Sequence, residues 1–173
     1  FDVPRGRGEV CRLALCVADA DYEADGVRGI AWPDLKEGTP YGQLPIYQVD
    51  GQPPIGRENA ILALIGRQHG LHPTDPWEAA RHEALMDAID EVNVEIEVIH
   101  RLHGDGERQR IREELAQGPL PAWFDRFERQ VRGPFVGGDA MQVADLKLFV
   151  LIDILRSGHV GPMPSTLFVG YDR

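Results

Sequence analysis

Hydrophobic and polar positions follow two rhythms along this chain, and the rhythm changes near residue 70. In the first stretch, short apolar runs alternate with short helical patterns. Phe1 to Val3 reads as the tail of a strand, and Arg5-Gly-Arg-Gly8 as a basic turn. From Glu9, Val10, Leu13, Ala14 and Val17 recur at i, i+3, i+4 and i+7, which predicts a helix with that apolar face. Tyr22 to Arg28 alternates loosely and predicts a strand. Trp32 to Lys36 predicts a short irregular helix closed by Gly38. Ile46 to Val49 and Pro54 to Gly56 predict two strands turned by Asp50-Gly51, a strong hairpin signal. Arg57 or Glu58 opens a helix with Ile61, Leu64 and Ile65 on its apolar face, ending near Gly70. The order is βαβαββα.

The second stretch is helical throughout. Leu71 to Asp75 is a linker rich in turn residues. Pro76 suits a first helical turn, capped by Asp75 or Thr74. Leu85, Ile89, Val92, Ile96 and Ile99 mark one face of a long helix that Gly104 and Gly106 break. A charged helix follows over Glu107 to Ala116, and Gly118 to Pro121 interrupts it. Trp123, Phe124, Phe127 and Val131 mark a further helical face, and Val143 to Leu155 a strongly apolar helix. The fold class is therefore α/β followed by all-α. The expected division is residues 1–70, a linker at 71–75, and a helical bundle over 76–173.

Tyr41-Gly-Gln-Leu-Pro-Ile46 stands out within the first part. Proline has no N–H for a ladder, so Pro45 belongs at a strand entrance, where a cis Leu44–Pro45 bond is compatible with the turn. Such a turn leaves the Leu44 backbone free to pair with something outside the sheet.

Composition narrows what that partner is. The chain has 173 residues, 43% of them hydrophobic, with net charge −10. Its pI of about 5.0 argues against a nucleic-acid partner and against an anionic membrane surface. No run of 18 apolar residues predicts membrane insertion. Cys11 and Cys16 lie roughly 500° apart on a helix, point to different sides and are not C-x-x-C, so both read as buried small hydrophobes in a reducing compartment, the cytoplasm or another. Glu97, His100 and His103 drift around their helix instead of stacking, so no metal site is expected. The sequence starts at Phe1 and ends just past Gly170-Tyr171 outside any helical pattern, which marks it as a piece of a longer protein. Whether a targeting segment precedes Phe1 stays open.

Taken in order, Phe1-Asp2, Arg5-Gly-Arg-Gly-Glu9, Trp32-Pro-Asp-Leu-Lys36, Tyr41-Gly-Gln-Leu-Pro45, Asn59-Ala-Ile61 and Val143-Ala-Asp-Leu146 resemble the cytosolic glutathione S-transferases. The tyrosine-dependent group that includes the sigma class is the nearest type. The resemblance implies a thioredoxin-like N-terminal domain, a helical C-terminal domain, a homodimer, and a detoxifying transferase that adds glutathione to a small electrophile. By that resemblance the Leu44 main chain before Pro45 pairs with the cysteinyl backbone of glutathione, as in strand addition. Trp32, Lys36 and Gln43 match positions holding the glycyl end. Arg7 matches the arginine that supports the catalytic tyrosine and the thiolate, and that tyrosine falls directly before Phe1. Asp90 matches a residue that reaches across the dimer to the γ-glutamyl amine.

Two departures bear on activity. The family's hydroxyl residue before Asn-Ala-Ile, which helps a helix N-terminus bind the γ-glutamyl carboxylate, is replaced by Glu58 beside Arg57. A second carboxylate at about 4 Å is opposed by roughly 4 kcal/mol at a near-surface dielectric, or about three decades of affinity. Arg57 relieves part of this if it pairs with Glu58 or with the ligand. The family's capping hydroxyl before Val-Ala-Asp is replaced by Gln142, at a cost of about 1 kcal/mol, while Asp145 is kept. Read alone, Glu58 is a plain charge at a helix start, Arg7 and Lys36 are exposed cations, and Trp32 fills a core. The alternative is thus a degenerate transferase-like subunit with a binding or structural role in a larger complex.

Overall fold

A computed structural model describes residues 7–27 and 31–171. Its first helix, α1 (Glu9–Val17), buries Val10, Cys11, Ala14 and Leu15. The expected face is rotated: Leu13 is half-buried and Val17 exposed. The cause is that α1 touches two neighbours, described below, so its buried stripe is wider than one i, i+3, i+4 row. Cys16 is exposed, against the expectation of a buried side chain, while Cys11 is buried as expected.

The strand expected over Tyr22 to Arg28 is absent from the described residues. Residues 21–27 carry no regular structure, and Tyr22 is exposed together with Glu23 and Asp25. With no face buried, the alternation has nothing to drive it into a sheet. The strand expected at Phe1 to Val3 lies outside the described residues. A short helix, α2 (Trp32–Lys36), follows, with Pro33 in its first turn.

The expected hairpin forms but is short. Strand β1 (Ile46–Tyr47) pairs antiparallel with β2 (Ile55–Gly56), Ile46 opposite Gly56 and Tyr47 opposite Ile55. Val49 does not extend β1. Its carbonyl accepts from the Gln52 N–H at 3.0 Å, closing the turn at Asp50-Gly51, and its side chain is exposed.

Helix α3 (Glu58–His69) ends at Gly70, whose φ of 71° is the left-handed value glycine takes without penalty. The Leu71 N–H then reaches back to the Gly66 carbonyl at 2.8 Å, and the Leu71 carbonyl accepts from Val143 N–H at 2.9 Å. The linker is thus fastened at its first residue, to α3 on one side and to residue 143 on the other. Helix α4 (Pro76–Arg101) starts as expected, with the Asp75 carboxylate accepting from the Trp77 and Glu78 N–H groups at 3.1 and 2.9 Å. Its buried face adds His82 and Met86 to the five residues expected. Helix α5 (Asp105–Gln117) begins two residues early and takes in Gly106, and α6 (Pro119–Glu128) follows after Gly118 alone, since Pro119 fits a first helical position. The last long helix is α7 (Val143–Arg156), and a 3₁₀ turn, Ser165–Phe168, comes after it.

α4 packs on α7, and α1 packs on both α3 and α7. One buried apolar cluster therefore runs from Val10 of α1 through Ile61 and Ile65 of α3 to Ile89, Leu151 and Leu167. The α/β half and the helical half share a core, and the edge of the hairpin stands at one side of it.

Gly66 tests that shared packing. A Cβ at Gly66 would stand 2.9 Å from the His72 Cβ and 3.0 Å from the Leu71 carbonyl oxygen, whereas one at Gly106 meets nothing within 4 Å. Gly66→Ala is expected to lower stability in urea by about 1–3 kcal/mol through overpacking. Gly106→Ala is expected to leave it unchanged or raise it by up to about 1 kcal/mol.

Candidate functional site

The turn before β1 collects several of the residues singled out in the sequence. The Leu44–Pro45 peptide bond is cis. Pro45 lies against Gly8 at the entrance to α1: a Cβ at Gly8 would be 3.7 Å from the Pro45 Cβ. Gly42, at φ 63°, lies under the stem of Lys36, whose Cε would stand 3.3 Å from a Cβ placed there. The Arg57 guanidinium donates to Gln43 Oε1 at 2.8 Å. Lys36, Gln43, Leu44, Pro45 and Arg57 are thereby gathered around one turn, and Trp32 is half-buried at the start of α2. Arg7 donates instead to the Glu97 carboxylate on α4. Both side chains of that pair are partly exposed, so it is worth about 0–1 kcal/mol and releases easily.

Arg57 precedes α3 with φ 71°, a left-handed conformation that non-glycine residues adopt at a cost of order 1–3 kcal/mol. This backbone lets consecutive side chains diverge. Arg57 turns toward Gln43, while Glu58 turns inward. Glu58 is not the solvated helix-start charge that its position suggests. Its side chain is 12% exposed, and its Oε1 lies 3.0 Å from Lys147 Nζ. Arg57 does not pair with it; Lys147 does.

Lys147 comes from the middle of the apolar helix α7 and is 2% exposed. Besides Glu58 it reaches Asp90 Oδ1 on α4 at 2.7 Å and donates to Asn59 Oδ1 on α3. The Asn59 amide in turn donates to Asp90 Oδ2 at 3.0 Å and to Asp87 Oδ1 at 2.6 Å. Three helices therefore meet at one ammonium. Sequence reasoning passed over Lys147 by treating its helix as pure core. The available signal was that Lys147 is the one cation within the run Val143 to Leu155.

Burial pushes the Glu58 carboxyl above the ordinary carboxylate range, opposed by Lys147, while the Asp90 charge on α4 adds to the rise and Arg7 opposes it. Burial, assisted by Glu58, also raises the Cys11 thiol far from the thiolate range, so Cys11 is no nucleophile. At the start of α7 the Asp145 carboxylate accepts from Gln142 N–H at 2.8 Å and Val136 N–H at 2.7 Å. Gln142 and Asp145 face each other as a capping box there, although the Gln142 amide oxygen makes no full hydrogen bond.

A carboxyl with a raised folded-state pKa binds its proton more tightly in the folded than in the unfolded chain. Stability carried by Glu58 is therefore full below the unfolded carboxyl value and declines as pH rises through the folded one. Glu58→Gln is expected to remove that decline. Urea midpoints measured from pH 4 to pH 8 check it: the gap between the native chain and the variant shifts in favour of the variant as pH rises.

No family model matches the chain. Over 164 residues it is 30% identical to glutathione S-transferase 1 of Ascaris suum, an alignment covering 91% of this chain and 77% of that protein. It is 38% identical over 87 residues to the hematopoietic prostaglandin D synthase of Gallus gallus, covering 50% of this chain and 43% of that one. Among solved structures, the glutathione S-transferase of Ascaris lumbricoides superposes with a TM-score of 0.80 at 29% identity, over 99% of this chain and 83% of that one. A monomeric glutathione S-transferase of the hookworm Necator americanus superposes with a TM-score of 0.85 at 24% identity, over 99% and 83%, and speaks to the fold alone. That fold is a thioredoxin-like half followed by a helical half. With the family's turn, hairpin edge and helix starts in place, and a relative at this identity over most of both lengths, the chain belongs to the glutathione S-transferase family.

Proposed function

We propose that this glutathione transferase holds its co-substrate along the turn at residues 42–45 and conjugates it to a small electrophile. The carrying observation is the convergence of Lys36, Gln43, Leu44 and Arg57 on that turn. In this reading the Leu44 backbone pairs with the cysteinyl unit beside Pro45. Lys36, Trp32 and Gln43 hold the glycyl carboxylate. Arg57 and Glu58 face the γ-glutamyl end, whose amine Asp90 of a second protomer reaches. Arg7 leaves Glu97 to face the thiolate, together with the tyrosine that the family resemblance puts directly before Phe1. Glutathione is then activated as a thiolate, the nucleophilic form.

Lys147 decides how Glu58 behaves in this scheme. An unpaired carboxylate at the start of α3 repels the γ-glutamyl carboxylate. Paired at 3.0 Å with a buried ammonium that it shares with Asp90, Glu58 is partly compensated, and the first-turn N–H groups of α3 remain favourable to an anion. One ground for reading the chain as a degenerate subunit was an uncompensated Glu58, and the pairing weakens that ground. The domain division at residues 71–75, and a homodimer in which Asp90 serves the partner's ligand, belong to the same proposal. So does a cytoplasmic setting, with which the free thiols of Cys11 and Cys16 are compatible. Among the described residues no helix is long and apolar enough to cross a membrane.

Immobilised glutathione tests the scheme. The native chain is expected to be retained and to elute with free glutathione; a chain that flows through refutes the proposal. Lys147→Met strands the buried Glu58 carboxyl and Asp90 and is expected to lower stability by about 3–5 kcal/mol and to weaken retention with it. Adding Glu58→Ser to Lys147→Met is expected to restore retention, and the urea midpoints of both variants, measured alongside, separate a lost site from a lost fold.

A further inference from the structure

The helical half carries a second group of cations that the glutathione site does not use. A cleft of about 420 Å³ opens between the end of α4, the start of α5 and the loop after α7, a volume typical of small-molecule sites. His100, Arg108, Arg112 and His159 line it, and Asp105 is the one acidic residue of its described lining.

Arg112 sets the chemistry. It is 8% exposed, yet it makes no ion pair among the described residues. Its Nη1 donates to the Val160 carbonyl at 3.4 Å and its Nη2 to Gln109 Oε1 at 2.9 Å, both neutral acceptors. Its Nε is buried with no partner. A guanidinium taken out of water is costly unless a negative charge compensates it, and here that charge is missing while the cleft lies open beside it. Arg108, one turn earlier on the same face of α5, is barely compensated. Its Nη1 is 3.8 Å from Asp105, whose carboxylate is fully exposed. The loop is shaped to admit the buried guanidinium. Gly161, at φ 86°, comes so close that a Cβ there would stand 2.6 Å from Arg112 Nη1. At the rim the rings of His100 and His159 meet edge to face at 5.8 Å.

We propose that this cleft binds a small-molecule oxyanion, a carboxylate or a phosphate, on Arg112 and Arg108. Guanidinium groups present paired N–H donors that match either group. The start of α5 adds the favourable end of a helix dipole. The site is separate from the turn at residues 42–45, and nothing in this proposal requires glutathione to bind.

Titration calorimetry with inorganic phosphate, and separately with acetate, at an ionic strength held constant with sodium chloride, tests it. The native chain is expected to show saturable one-site binding of at least one of the two, and the tighter one identifies the headgroup. Arg112→Met is expected to lose at least tenfold in affinity and Arg108→Gln several-fold, both keeping their retention on immobilised glutathione. Arg108 is partly exposed, so its variant carries the test even if Arg112→Met does not fold. No saturable binding of either anion to the native chain, or native affinity in Arg108→Gln, overturns the proposal.

Discussion

The Nζ of Lys147 lies 3.0 Å from the Glu58 carboxylate and 2.7 Å from that of Asp90, at a point where α3, α4 and α7 meet. A buried pair of this kind adds little net stability, because desolvation offsets most of the attraction, but losing one partner strands the other charge. The ammonium thus acts less as glue than as a constraint. It prescribes which residue may stand at the start of α3, and it links that start to the helical half. A hydroxyl in the Glu58 position would need no such partner.

The turn at residues 42–45 is joined to this arrangement through Arg57. With Glu58 drawn inward to Lys147, Arg57 takes a left-handed backbone and sends its side chain to Gln43. One strained residue therefore sorts two opposite charges to opposite sides: the base to the exposed edge, the acid to the interior. The surrounding core holds this geometry in place. Leu71 clasps Gly66 on one side and Val143 on the other, so α3 and α7 share a fixed register.

Net charge says little about these local fields. The chain carries −10 overall, yet Arg108 and Arg112 stand together at a cleft where, among the described residues of its lining, only an exposed aspartate opposes them. Bulk acidity argues against long, diffuse polyanions such as nucleic acid, whose binding needs many cations at once. It does not exclude one small anion held by two placed guanidinium groups.

By itself the sequence determined most of the element order, because helix periodicity, an Asp-Gly turn, a Pro after Asp75 and a Gly at residue 70 are local signals with local causes. It also determined the family, since the matched segments are spread over nearly the whole chain. Local patterning misled where burial, not propensity, decides: Tyr22 to Asp25 alternate but bury nothing, and α1 turns a wider face than its spacing implied because two helices cover it. The tertiary structure alone decided the state of Glu58. Its partner is 89 positions away in an apolar helix, and no spacing rule connects them. The same holds for Arg112, whose lack of a counter-charge becomes visible only when Val160 and Gly161, far along the chain, are folded against it. Pairing and desolvation of charges are properties of assembled space, and a linear pattern of residue types does not contain them.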